Sequence, residues 1–330
     1  MLPVTTRRIS LETIRAAAAH IYDAAVRTPL VRLDLPAASG DRSAPQIFLK
    51  LEALQPIGSF KIRGAYNAVR QLRPDELAGG VWTVSAGNAA QGVALAAQRA
   101  GTGCRVMVMD TAPETKLRAI ERLGAEILKT SYDECWRTVE QHGSARMHGH
   151  FVHPFDDDAF ISGNGTVGLE IVEDLPDVDA VVAPLGGGGL IAGIGAALRE
   201  LAPRARVYAA EPETAAPLAA SLAAGRATAF TGWTRSFVDG AGGRSVLDTM
   251  WPLLREAVAD SLIVPLDDAA RAMRLVAERN HVIAEGAAAC AVAAALSPAF
   301  ARRGHRRVVA VVSGGNIDLS TFAQLTGACS

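Results

Sequence analysis

Short apolar runs rich in β-branched residues alternate along the chain with longer stretches whose apolar positions recur every three or four residues. Ile47 to Leu51, Trp82 to Ser85, Arg105 to Met109, Glu126 to Thr130, Ala180 to Leu185, Val207 to Ala210 and Arg307 to Ser313 carry the first pattern and predict strands. Ile62 to Val69, Val93 to Arg99, Glu114 to Leu123, Leu190 to Leu198 and Asp267 to Arg279 carry the second and predict helices. The alternation predicts an α/β fold, with parallel sheets covered by helices on both faces. No internal repeat or low-complexity linker interrupts it. At 330 residues and 49% hydrophobic, the chain has enough apolar surface for a large core and two domains.

Polar and glycine residues collect where the predicted strands end. Gln55-Pro56-Ile57-Gly58-Ser59 breaks the strand Ile47 to Leu51, and Phe60-Lys61 then opens a helix. A lysine at such a corner is open to partial desolvation, which makes its amine nucleophilic and suits it to Schiff-base chemistry. Val81-Trp82-Thr83-Val84 runs into Ser85-Ala86-Gly87-Asn88-Ala89. Backbone amides there can hold a carboxylate and Asn88 can donate to a phenolate, although Ser and Asn also serve as plain helix caps. Val181 to Leu185 leads into Gly186-Gly187-Gly188-Gly189 and an apolar helix. Four glycines let N–H groups converge without Cβ interference, a phosphate cradle that matches neither the P-loop nor the Gly-x-Gly-x-x-Gly spacing. Val308 to Val312 ends in Ser313-Gly314-Gly315-Asn316. Ligands of open α/β sheets sit beyond the carboxyl ends of strands, so these four stretches together predict a phosphate-bearing ligand beside a reactive amine.

Lys50-Leu51-Glu52, Gln55-Pro56, Gly58-Ser59-Phe60-Lys61 and Arg63-Gly64-Ala65, with the glycine run and Ser313, resemble the tryptophan-synthase-β-type (fold type II) pyridoxal-phosphate enzymes. Within that group the pattern is similar to the serine/threonine dehydratases, from about Arg27-Thr28-Pro29-Leu30 to Asn316. The resemblance implies a two-domain fold, each domain a mostly parallel twisted sheet flanked by helices. Residues 1–79 and 156–330 would form a large cofactor domain and 80–155 a small mobile one. It implies pyridoxal 5'-phosphate held covalently by Lys61, with Phe60 on the ring, Asn88 on the ring hydroxyl, Gly186, Gly187, Gly188 and Gly189 on the phosphate, and Ser313 on the pyridine nitrogen. Ser85, Ala86, Gly87, Asn88 and Ala89 would bind the substrate carboxylate. Glu285, at the start of a helix, and Gly240 in a glycine-rich loop would border the same pocket.

The implied chemistry is α,β-elimination from a β-hydroxy amino acid of the L-threonine or L-serine type. A substrate amine displaces Lys61, the freed amine takes the α-proton, the β-hydroxyl leaves, and hydrolysis yields a 2-oxo acid and ammonia. A hydroxyl rather than a carboxylate on the pyridine nitrogen makes a weaker electron sink, which favours rapid elimination. Two departures bear on specificity. Relatives usually carry histidine where Ala89 stands, so a larger substrate such as phenylserine becomes an alternative. Serine racemases carry a second serine where Ala86 stands, so racemisation is expected to be poor. A β-replacement enzyme of the cysteine-synthase kind, a non-catalytic cofactor carrier and a nicotinamide oxidoreductase are rival readings. The last lacks its glycine fingerprint.

Composition narrows the setting. The formal net charge is −1 and no long run of Lys and Arg occurs, so no nucleic-acid partner is expected. No segment approaches the ~20 apolar residues that span a bilayer, and Met1 to Arg8 has no apolar signal core. Cys104, Cys135, Cys290 and Cys329 are scattered, which fits reduced thiols in a cytoplasm. A homodimer is expected, and no regulatory module after Ser330. No metal site is expected: His148-Gly149-His150-Phe151-Val152-His153 lacks a spaced partner, and Glu211 with Pro217 is a thin ligand set. Asp156-Asp157-Asp158 reads as a solvated turn.

Overall fold

The computed structural model describes residues 7–35 and 45–327. Its strands are β1 (Leu30–Arg32), β2 (Gln46–Lys50), β3 (Val81–Val84), β4 (Cys104–Met109), β5 (Glu126–Thr130), β6 (His150–Phe151), β7 (Ala180–Pro184), β8 (Arg206–Pro212), β9 (Asp260–Val264) and β10 (Arg307–Val311). They form a six-stranded sheet of order β1-β2-β10-β7-β8-β9 and a four-stranded sheet of order β5-β4-β3-β6. Every pairing is parallel except β1 with β2. The chain belongs to the α/β class, with mostly parallel sheets flanked by helices, as the alternation predicts.

The order follows from burial. β7 is buried at every position and β10 at all but Arg307, and these near-continuous apolar runs lie mid-sheet, covered on both faces. On one face lies the alanine-rich helix Gly286–Leu296, buried over most of its length. Helices Asp158–Asp174 and Gly189–Leu201 contribute to the cluster on the other side. The four-stranded sheet is built wholly from residues between Val81 and Phe151, and a separate cluster lies under helix Asn88–Ala100. Helix Lys61–Arg70 packs against both Asn88–Ala100 and Asp158–Asp174, so the element that opens with Lys61 joins the two sheets.

Sequence periodicity missed helix Asp158–Asp174, the longest among the described residues. Its Gly163, Gly165 and Gly168 interrupt the apolar spacing, yet each lies where a Cβ would strike a neighbour. A methyl at Gly163 would stand 2.4 Å from the Arg63 carbonyl oxygen. β1, β6 and β9 were missed because they are short or lie at a sheet edge. β8 runs two residues beyond the expected Ala210, because Glu211 and Pro212 pair with Ile263 and Val264. Cys329 lies outside the described residues; Cys104, Cys135 and Cys290 are free and buried. No helix among the described residues is long and apolar enough to cross a membrane.

Candidate active site

The loops that follow β2, β3, β7 and β10 collect at one end of the sheets, and those after β2 and β10 are bound to each other through backbone. Phe60 N donates to Ser313 O at 3.0 Å and Gly315 N to Gly58 O at 2.9 Å, with an antiparallel bridge between Ser59 and Gly314. The turn before Lys61 is thereby laced to the segment carrying Ser313. Gly58 sits at φ +70°, and a Cβ there would lie 2.7 Å from Asn316 Oδ1, so a side chain is excluded on both conformational and steric grounds. Phe60, Lys61, Ser85 to Asn88, Gly186, Gly187 and Asn316 all keep part of their surface open, outlining a cleft.

Lys61 is the first residue of its helix, and its Nζ donates to the Pro154 carbonyl at 2.6 Å. The Phe60 and Phe160 rings each lie 5.2 Å from that nitrogen. No carboxylate among the described residues pairs with it, and burial lowers its pKa to about 7. Half of the amine is therefore unprotonated near neutrality, whereas an ordinary lysine is almost wholly charged.

Asn88 opens helix Asn88–Ala100, and no side chain caps that helix. Its Nδ2 donates to Glu285 Oε1 at 2.8 Å, and its Oδ1 accepts from Asn316 Nδ2 at 2.7 Å. Glu285 is buried, and burial raises its pKa to about 8, with Asp239 adding to the rise. Ser85 Oγ accepts from Gly87 N at 3.1 Å, shaping the loop between β3 and the helix. Ala89 is 4% exposed, so its methyl packs within the protein rather than lining an open pocket.

The glycine run opens helix Gly189–Leu201, whose N-cap Gly188 has φ +92° and offers no side-chain cap. A Cβ at Gly186 would stand 2.6 Å from Gly240 O, and one at Gly187 would stand 2.1 Å from the Phe155 ring. Gly240 thus borders the glycine run as well as Glu285, whose Oε1 lies 3.5 Å from where a Gly240 Cβ would be. Ser313 is buried and its hydroxyl makes no hydrogen bond among the described residues. Ser59 Oγ is likewise buried without a partner, two residues from Lys61. An uncapped helix N-terminus, unpartnered hydroxyls and a part-neutral amine together fit an anionic, aldehyde-bearing cofactor such as pyridoxal phosphate.

Asp156-Asp157-Asp158 corrects the sequence reading. Only Asp158 is exposed; Asp157 caps its helix by accepting from Phe160 N at 2.7 Å. Asp156 is buried, bonded to Arg7 and Thr249, with His142 Nε2 at 3.0 Å. Burial opposes its charge, but the Thr249 and Arg7 bonds prevail and its pKa falls below the ordinary value. Atoms of His142, His153 and Asp156 lie within 4.8 Å of one another. His153 Nδ1 nonetheless accepts from Asp156 N at 2.7 Å, and its Nε2 faces the Val139 carbonyl at 3.1 Å. Both ring nitrogens are engaged, and desolvation lowers the ring's pKa to about 4, so the cluster is a hydrogen-bonded brace for the segment carrying Pro154 and Phe155. Glu211 is also committed, accepting from Leu218 N and Ala219 N at 2.8 Å each.

Several contributors escape sequence reading. Pro154 and Phe155 meet Lys61 and the glycine run only through the fold. Beneath the Lys61 helix, Arg63 bonds Glu52 and Glu170, and Lys50 bonds Glu170 at 2.6 Å, all four side chains buried. Alternating charge within Lys50-Leu51-Glu52 and Arg63 was the one available signal.

The fold and this cleft define a pyridoxal-phosphate-dependent enzyme. The chain belongs to that family, whose pattern, described as "Pyridoxal-phosphate dependent enzyme", matches residues 21–314. It is 38% identical, over 96% of its length and 78% of the relative's, to an L-threonine ammonia-lyase of Thermotoga maritima. It is 36% identical to a serine racemase of Rattus norvegicus, over 96% and 95% of the two chains. Among solved structures, maize serine racemase matches with a TM-score of 0.86 at 32% identity, over 98% of each chain.

Proposed function

We propose that the protein is an ammonia-lyase that eliminates water from a β-hydroxy amino acid of the L-threonine or L-serine type, giving a 2-oxo acid and ammonia. The observation that carries this reading is the buried Lys61 amine, bonded to the Pro154 carbonyl next to Phe155, against which the uncapped glycine run packs, and without a carboxylate partner among the described residues. Pyridoxal phosphate supplies, when bound, an electron sink for negative charge at the substrate α-carbon. Lys61 would hold its aldehyde, the Gly186 to Gly189 amides its phosphate, Asn88 its ring oxygen and Ser313 its ring nitrogen, with Phe60 against the ring. The Lys61 amine would take the α-proton, for which a pKa near neutrality suits it. The N–H groups of Ala86, Asn88 and Ala89, which find no acceptor among the described residues, would orient the substrate carboxylate, aided by the partial positive charge of the helix start.

The likeness to serine racemases favours a second reading on the same site. Ala86 has no hydroxyl to deliver a proton to the opposite face of the α-carbon, so elimination is preferred. The domain division belongs to the same reading: residues 80–155 would move as a unit to close the cleft and exclude water. Cytoplasmic placement and a homodimer complete it, the latter checked by sedimentation.

The test is to incubate cofactor-loaded protein with L-threonine, L-serine and L-threo-phenylserine, and to measure 2-oxo acid, ammonia and the D-enantiomer. Equal release of 2-oxo acid and ammonia supports the lyase, and Lys61→Ala should reduce it by roughly 10²–10⁴-fold. D-serine forming faster than pyruvate would favour racemisation. No product from any of the three would overturn the reading.

A further inference from the structure

The oxygen and nitrogen ends of an asparagine amide have nearly the same shape, so packing alone does not decide which end faces a ligand. For Asn88 the choice matters, because only its Nδ2 can donate to a cofactor oxygen. The structure contains a chain of contacts that makes the choice. It starts at the carbonyl of Ile57, in the turn before Lys61, which can only accept. Asn316 Nδ2 donates to that carbonyl at 2.7 Å, which fixes the Asn316 amide. The same Nδ2 donates its second hydrogen to Asn88 at 2.7 Å, so the atom facing it must be Oδ1. Asn88 Nδ2 therefore lies on the other side, where one hydrogen reaches Glu285 Oε1 at 2.8 Å. The second Nδ2 hydrogen has no acceptor among the described residues. Gly314 makes room for this: a Cβ there would stand 2.6 Å from Glu285 Oε1 and 3.2 Å from Asn88 Nδ2.

We propose that Asn316, with Glu285, is a positioning residue that sets the orientation of the Asn88 amide and so presents its remaining N–H to the cofactor's ring oxygen. The inference rests on the reading given above, in which Asn88 meets that oxygen. Asn316 itself touches neither cofactor nor substrate in this scheme. It relays the direction of a backbone carbonyl in the lysine turn to a side chain on a helix of the other sheet. Replacing its donor by an acceptor should turn the Asn88 amide over and set an oxygen against an oxygen.

The test is the dissociation constant of pyridoxal phosphate, measured by fluorescence titration of the cofactor-free protein. It is compared for the parent, Asn88→Ala, Asn316→Asp and the double variant. Loss of one hydrogen bond to a charged oxygen should weaken binding about tenfold in each single variant. Because Asn316 acts through Asn88, the double variant should bind no more weakly than Asn88→Ala alone. Additive losses would show that Asn316 acts by packing on Gly58 and would overturn the inference. Parent-like binding by Asn316→Asp, with Asn88→Ala weakened, would overturn it while leaving the role of Asn88 standing. Parent-like binding by Asn88→Ala would overturn both. If Asn316→Asp does not fold, Asn316→Ala carries the same cycle, with a smaller single loss and the same lack of additivity.

Discussion

Two side chains in the cleft are pushed towards their neutral forms, and for one reason: burial penalises charge. Lys61 is driven down to about 7, and Glu285 is driven up to about 8 from an ordinary 4.5. For Glu285 the consequence for stability has a definite sign. Between those two values the unfolded chain has released its proton while the folded chain keeps it, so stability falls as pH rises. Glutamine keeps an oxygen for the Asn88 bond but does not titrate. The melting temperature of cofactor-free parent protein, relative to Glu285→Gln, should therefore decline from pH 5 to pH 7. A constant difference between the two melting curves would mean that Glu285 is ionised in the fold. At this scale the sequence was informative wherever a residue's role is set by its immediate neighbours. Lys61 follows a turn, Ser313 follows a strand, and Gly186 to Gly189 lead into a helix. Asn316 stood beside Ser313 in plain view, yet its partners are 228 and 259 positions away, and no local pattern records them. Asp156 was misread for the same reason, since Arg7 and Thr249, which hold it, are 149 and 93 positions away.

Between elements, the site depends on how closely helices approach. Helix Lys61–Arg70 lies against Asp158–Asp174 at Gly64 and Gly163, where a Cβ on Gly64 would stand 2.3 Å from the Phe160 ring. Such an approach fixes the height at which Lys61 leaves its turn. The buried Arg63, with Glu52 and Glu170, locks the same helix from below. Gly163→Ala would press a methyl on the Arg63 carbonyl, backbone that cannot turn aside. A loss of about 1–3 kcal/mol is expected, read from urea denaturation of the cofactor-free protein. A neutral result would mean that the two helices can part without cost. Alternating patterns reveal helices that show a polar face to water. Asp158–Asp174 is buried along most of its length, so it presented no such face, and its contact glycines interrupt the apolar spacing.

At the scale of the whole molecule, the segment between Val81 and Phe151 meets the rest across the cleft at a few identifiable points. Lys116 pairs with Asp239, and Thr115 Oγ1 donates to Asp318 at 3.4 Å. The Arg244 guanidinium lies 4.4 Å from the Tyr132 ring of that segment and 4.1 Å from the Trp233 ring of the remainder. On the proposed reading, in which residues 80–155 move to close the cleft, these contacts would resist its opening. Exposed ion pairs contribute about 0–1 kcal/mol and weaken with salt. A cation shared by two rings contributes about 0.5–1 kcal/mol at each, even where exposed. Arg244 should accordingly be the stronger clasp. Arg244→Ala is expected to raise hydrogen exchange about fivefold at Ser85 to Gly87 and in helix Glu114–Glu121, with Lys116→Ala changing it less. If Lys116→Ala accelerates exchange more, and salt reproduces the effect in the parent, the clasp is electrostatic. If neither variant alters exchange, opening is governed by the Asn88, Glu285 and Asn316 contacts, and the cleft yields only when its own hydrogen bonds do.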